Sequence, residues 1–340
     1  MDTKKDIKRV SNINSALILF FLALIVVLNF LFDPITLLFM DAKSPYYNAV
    51  YTLIGYSLQY FVAVGVPLFT FYLTDTGKNI KKSRPNFVKS KMPVSWIAKH
   101  IVICFGLSYA MAYASKIFFA ILKKLLNIEL NAVDFSAEDN WISKLTNLIA
   151  MVILAPVFEE LLFRGTILRN GLKFGKWSMI IMSGIFFGLW HLNYEQTLYT
   201  MTFGIYLAFI YAKTESLIPT IAAHMIFNSF AAVQTIISAG VDLNNIDIIK
   251  LIPLELMGFT IIALMLTGII FFILELVNHR ESYKFDDEKI LTDETSDEIT
   301  EENKMSGGKV FAVYFSAPVT IIVVILLASL TVMAAVGLDV

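Results

Sequence analysis

Nine stretches of this chain, each 18 residues or longer, are predominantly apolar: about 13–32, 47–74, 96–122, 143–168, 175–193, 196–213, 216–239, 251–277 and 310–336. A helix needs about 20 such residues to cross the hydrocarbon core of a bilayer. The pattern predicts an all-α fold, a polytopic transmembrane helical bundle of about eight to nine spans. Composition agrees, with 57% hydrophobic and 16% charged residues. The formal net charge of −1 supplies no electrostatic argument for nucleic acid, which is not expected as a partner. The single cysteine, Cys104, cannot form an intrachain disulfide and rules out a Cys-based metal site. Within an apolar helix it reads as a small buried hydrophobe.

Charge distribution suggests an orientation. The N-terminus carries Lys4, Lys5, Lys8 and Arg9 ahead of the first apolar run, which is too long for a typical signal-peptide core and reads as a retained span. Lysines and arginines recur after the second span (Lys78, Lys81, Lys82, Arg84, Lys89, Lys91), after the fourth (Arg169, Lys173, Lys176) and after the sixth (Lys213). The alternate connections are acidic or mixed. The positive-inside rule then places the N-terminus in the cytoplasm, and the Lys-rich turns favour a bacterial cell membrane. The polar segment 279–309 reads as an acidic, disordered linker. Three regions are expected: N-terminal spans in 1–142, a core in 143–240, and C-terminal spans with the linker in 241–340.

Against this background, Glu159, Glu160 and Arg164 stand out, because they lie inside the apolar run that begins at Ile149. A charge at the centre of a membrane helix costs roughly 2.5–3.5 kcal/mol even on a lenient scale, and such residues are functional candidates by default. Glu160 and Arg164 are four apart with the acid first, which favours a same-face ion pair. Glu159 is rotated by about a hundred degrees and points elsewhere. Glu160 with Arg164 is thus expected to be structural, and Glu159 to be the carboxylate left to act on water as a general base.

Two of the four histidines follow in the same block. His191 closes Phe187-Gly-Leu-Trp-His191, and His224 opens His224-Met-Ile-Phe-Asn228, whose ends share a helix face. His100 and His279 lie at span edges and read as interfacial.

Taken together, Glu-Glu-x-x-x-Arg, Phe-x-x-x-His and His-x-x-x-Asn resemble the three motifs of the CAAX-protease and bacteriocin-processing (CPBP) intramembrane proteases. That family includes the type II CAAX prenyl endopeptidases and bacterial Abi-type proteins. The resemblance covers about Leu145 to Phe230, and Thr214-Glu-Ser-Leu-Ile-Pro219 is also similar. It implies that Glu159 is the catalytic glutamate and that His191 helps it activate water. It further implies that His224 and Asn228 steady the oxyanion, with Glu160 and Arg164 in support. The implied partners are membrane lipids and a peptide or lipidated protein substrate, with roles in CAAX-type processing, bacterial peptide maturation or bacteriocin self-immunity. Glu159, His191 and His224 could hold a divalent metal such as zinc, since two histidines and a carboxylate leave a fourth position for water. A metal-free glutamate mechanism fits the same residues, and the His-Glu-x-x-His helix of the common zinc peptidases is absent.

Two other readings share these features: a non-enzymatic membrane scaffold or regulator of the same fold, and an ion-coupled transporter. The second calls for repeated halves, and no such symmetry is visible. A shared site also carries a geometric demand. His191 falls near the outer end of its expected span, so helices must be tilted, broken or shortened for it to meet Glu159.

Overall fold

The computed structural model describes residues 3–44, 46–78, 87–127, 130, 141–239, 248–285 and 305–337, and the regular elements among them are all helical. In chain order they are α1 (Thr3–Asn29), α2 (Phe32–Phe39), α3 (Tyr47–Leu73), α4 (Val94–Leu126), α5 (Lys144–Phe174) and α6 (Lys176–Trp190). There follow α7 (Tyr194–Thr214), α8 (Leu217–Ala239), α9 (Ile248–Asn278), α10 (Gly307–Phe315) and α11 (Pro318–Ala335). Seven of these, α1, α3, α4, α5, α8, α9 and α11, are long and apolar enough to cross a membrane. The protein is therefore an integral membrane helical bundle.

Each of the nine apolar stretches is helical, but three depart from a plain span. The stretch at 175–193 becomes α6, only 15 residues long, or about 22 Å against a core of about 30 Å. The one at 196–213 becomes α7, whose helix of 21 residues is less apolar. The last is divided into α10 and α11 at Ser316 and Ala317, with Pro318 in the first turn of the second piece. Proline suits that position because the missing N–H would have no helical partner there.

The centre of the bundle is the antiparallel pair α6 and α7. A Cβ on Gly184 would lie 2.6 Å from the Ile205 backbone nitrogen, and one on Gly204 would lie 3.1 Å from Gly184 Cα. Small residues here let the two backbones touch, as membrane helices do when packing replaces the hydrophobic effect.

Helix α5 is interrupted twice by π-helical turns, at Ala150–Leu154 and Phe163–Leu168. Widened turns displace backbone carbonyls from the regular ladder, and lipid offers no donor to replace the lost bond. Side chains supply it. Asn228 Nδ2 donates to Met151 O at 2.7 Å, Asn14 Nδ2 to Ile167 O at 3.0 Å, and Tyr72 Oη to Gly165 O at 3.2 Å. Asn14 also donates to Tyr314 Oη (2.9 Å) and accepts from Asn170 Nδ2 (2.9 Å). A further hydroxyl cluster, Ser11, Ser15 and Thr320, joins α1 to α11. The C-terminal helices thus pack onto α1 and, through it, onto the interrupted helix.

Two sequence readings need refinement. His100, read as interfacial from its place at a span edge, is enclosed by protein. It is fully buried, with its ring 3.7 Å from that of Trp96, because the turn of α4 around it faces the aromatic residues of α7. The polar segment does not become a linker at His279. Arg280–Tyr283 forms a 3₁₀ turn, with Tyr283 stacked on Phe209 at 5.2 Å and its carbonyl accepting from Trp177 Nε1 at 3.1 Å. The stretch 286–304 lies outside the described residues.

Helix α9 is held to α4 by a second glycine contact. A Cβ on Gly268 would meet Val102 O at 2.4 Å and Gly106 Cα at 2.7 Å, whereas one on Gly258 meets nothing within 4 Å. Lys99 and Glu275 close the same interface with an ion pair of 2.5 Å. Gly268→Val is expected to lower the unfolding free energy by roughly 1–3 kcal/mol, as overpacking does. Gly258→Ala is expected to leave it unchanged or raise it slightly. Thermal unfolding of the two variants in one detergent checks this.

Candidate active site

All three intramembrane charges of the sequence are buried: Glu160 and Arg164 are fully enclosed and Glu159 is 7% exposed. They sit between the two π turns, on the regular segment Ala155–Leu162 and the turn after it. Arg164 Nη1 donates to Glu160 Oε1 at 2.8 Å, its Nη2 donates to Gly204 O at 3.0 Å, and the guanidinium lies 4.5 Å over the Phe187 ring. The same-face pair read from the i, i+4 spacing is present, and the glycine contact of α6 and α7 brings the Gly204 carbonyl to it.

His224 joins this pair from α8. Its Nδ1 lies 3.1 Å from the Glu160 oxygen that Arg164 contacts, and its Nε2 lies 3.9 Å from Glu159 Oε2. An ionised carboxylate only accepts, so the Nδ1 facing Glu160 carries the hydrogen and Nε2 faces Glu159. Phe187 and Phe203 wall the imidazole with ring centroids at 5.6 and 5.3 Å, both edge-on.

His191 caps the C-terminus of α6, and its Nδ1 donates to Phe187 O at 2.8 Å. A carbonyl cannot donate, so this tautomer also leaves Nε2 available. The helix is shortened, ending at Trp190. Because α6 is short, it ends inside the bundle, where Trp190 lies against Phe21 of α1 with ring centroids 3.9 Å apart. Leu192 takes the left-handed conformation (φ 49°), and Asn193 caps α7 by accepting from Glu195 N at 2.9 Å. The His191 and His224 rings both lie against Phe187, with centroids 5.0 and 5.6 Å from it. No direct contact joins His191 to Glu159 among the described residues.

Asn228 has a structural bond besides the oxyanion role expected of it. One of its amide hydrogens goes to Met151 O in the π turn beside the site, which leaves the other available. Two residues not foreseen from the sequence approach Glu159. Trp190 lies edge-on to Phe163 at 5.4 Å and Tyr60, in a π turn of α3, stacks on Phe158 at 5.9 Å, so both flank the segment that carries it. Aromatic residues are common in membrane helices, and only the packing of α3 and α6 against α5 distinguishes these two.

The residues do not fit a resident metal well. Among the described residues, no three His, Cys, Asp or Glu side chains gather closely enough to hold an ion. Glu160, the acid nearest both His224 and Arg164, already balances the guanidinium.

Residues 141–230 match the family model described as type II CAAX prenyl endopeptidase Rce1-like. The segment that carries the site is therefore similar to the type II CAAX prenyl endopeptidases, and the chain that holds it is an integral membrane protein. No curated protein and no solved structure matches the chain.

Removing one partner of a buried pair strands the other charge. Arg164→Ala is expected to cost about 3–5 kcal/mol of stability. Arg164→Lys should recover only part of this, since an ammonium lacks the planar fork that reaches both Glu160 and Gly204 O. Denaturation monitored by helicity in micelles measures both.

Proposed function

We propose that the chain hydrolyses a peptide bond within the membrane, using water activated by Glu159. The observation that carries this reading is the 3.9 Å separation between Glu159 Oε2 and His224 Nε2, with Glu160 and Arg164 neutralising each other behind them. That gap is too long for a direct hydrogen bond and suits a shared water. In the productive state one proton resides on the Glu159–His224 pair, as carboxylate plus imidazolium. Glu159 takes a proton from water as its oxygen bonds to the scissile carbonyl carbon. Imidazolium His224 and the second amide hydrogen of Asn228 donate to the oxyanion. Collapse breaks the C–N bond, and Glu159 returns the proton to the departing nitrogen. His191, beside His224 with Nε2 available, completes the surroundings of the water.

The depth of the site supports a membrane-associated or lipidated peptide as substrate. His224 lies about 11 Å along α8 from Leu217, taking 1.5 Å per residue. Leu217 belongs to the end of the bundle where Lys91 pairs with Glu215 at 2.8 Å. By the positive-inside rule this Lys-rich end is the cytoplasmic one. Cleavage of a bacterial peptide, a bacteriocin self-immunity role, or CAAX-type processing are the forms this activity would take.

The first test compares peptides and new protein termini in membranes carrying wild type or Glu159→Ala at equal abundance. Products confined to the wild type are expected. Identical peptide sets would sink the proposal and favour a scaffold. A second expectation concerns pH. A site that works with one shared proton gives a bell-shaped kcat/KM profile. Its acid limb reports protonation of the carboxylate, and its alkaline limb reports loss of the imidazolium proton. His224→Gln should lower activity about 10²–10⁴-fold, keep the acid limb and lose the alkaline one.

A further inference from the structure

Helix α6 ends inside the bundle, so whatever holds its last turn also sets His191. That turn closes with bonds to the third residue back, His191 N to Gly188 O at 3.4 Å and Leu192 N to Leu189 O at 3.2 Å. Such bonds have poorer geometry than those of a regular α-turn. The chain then leaves through Leu192 in the left-handed conformation (φ 49°). The imidazole is tied to this same turn, because its Nδ1 donates to Phe187 O at 2.8 Å. Its place relative to Glu159 and His224 therefore follows from where the neighbouring helices press the end of α6.

Two helices do so. On α7 the approach is through Gly188, where a Cβ would meet Thr197 O at 2.6 Å and Met201 Cβ at 2.7 Å. On α1 the Phe21 ring lies 3.9 Å from that of Trp190, with the planes 31° apart. Trp190 also stands edge-on to Phe163 at 5.4 Å, and Phe163 edge-on to Phe187 at 5.2 Å. The Phe187 ring in turn lies 5.0 Å from His191 and 5.6 Å from His224. A run of rings thus leads from Phe21 to both histidines. Phe21 is itself held in place. It is buried, and it sits seven residues beyond Asn14, on the same face of α1 and about 10 Å further along. Asn14 anchors that helix by donating to Ile167 O and accepting from Asn170 Nδ2. Helix α1 lies outside residues 141–230, which match the family model, so no family motif calls for this contact.

We propose that Phe21 is a positioning residue for the reaction: its ring, pressed on Trp190, holds the end of α6 so that His191 stays where it acts on the water beside Glu159. This rests on the hydrolytic reading of the site given above. Truncating Phe21 leaves a gap beside Trp190, and a last turn closed by weak bonds is free to move into it. Misplacing such a group by about 1 Å costs up to about 10²-fold in rate. Phe21 is reached from the site only through Trp190 and makes no substrate contact of its own, so the loss falls on kcat and spares KM.

The test uses the full-length protein in micelles and a quenched fluorogenic peptide built on a cleavage sequence found only with the wild type. Phe21→Ala is expected to lower kcat roughly 10- to 100-fold, with KM within about twofold. Phe21→Leu, a milder cut that keeps the helix folded, should lower kcat in the same direction by about threefold or more. Ile7→Ala removes a fully buried side chain from the other end of α1, about 21 Å away. It is expected to lower the melting temperature as Phe21→Ala does and to keep kcat. In a Trp190→Leu background the effect should vanish, with Phe21→Ala changing kcat by less than about twofold. An unchanged kcat in both Phe21 variants, an equal loss in Ile7→Ala, or losses that simply multiply in the double variant overturns the proposal. A wild type that shows no Glu159-dependent cleavage is a separate result, and it removes the hydrolytic reading together with this inference.

Discussion

The structure turns on one fully buried ion pair. Glu160 and Arg164 lie where the surroundings offer little screening, and neither could remain charged there alone. Their 2.8 Å contact makes the pair neutral as a unit, and Arg164 binds the Gly204 carbonyl with its other arm. Three elements are fixed by this pair: α5 by carrying it, α7 through Gly204, and α8 through His224 Nδ1 at 3.1 Å. The consequence for chemistry is a division of labour. Glu160 is tied to two partners, and on the proposed reading its neighbour Glu159 is the acid that turns toward a substrate. Adjacent positions on a helix enforce that separation, since they cannot face the same way.

A second constraint follows from the solvent. Helix α5 departs from regular winding on both sides of its charged segment, and every displaced carbonyl must find a donor within the protein. Asn228, Tyr72 and Asn14 provide three such donors from three different helices. These bonds explain why helices far apart in sequence belong to the same construction. Asn14 on α1 and Tyr314 on α10 meet at 2.9 Å beside the second π turn. The polar residues near the site hold an irregular helix in place as well as surrounding the reacting groups.

The sequence reveals the helices through their apolar runs, and the Glu160–Arg164 pair through its spacing. Both are local signals, and both persist in the folded protein. The glycines at 184, 188 and 204 likewise announce close packing. Less legible are features set by partners distant in the chain. Nothing near His100 in sequence indicates that Trp96, Tyr206 and Phe209 enclose it. Nor does periodicity show that α6 stops at Trp190, since the apolar run continues in composition through the turn. The amide of Asn228 has two hydrogens, and which carbonyl one of them meets depends on a π turn that the sequence does not declare. For the same reason Tyr60 and Trp190 are ordinary aromatic residues until α3 and α6 pack beside Glu159.

The central claim is that neighbouring glutamates do different work, Glu160 holding the bundle and Glu159 acting on water. The most direct measurement pairs melting temperature with peptide-cleavage activity for Glu159→Gln and Glu160→Gln in the same membrane mimetic. The account predicts that Glu159→Gln melts with the wild type and is inactive, whereas Glu160→Gln loses several degrees because Arg164 is left without its counter-charge. A stable Glu160→Gln together with an active Glu159→Gln would contradict it.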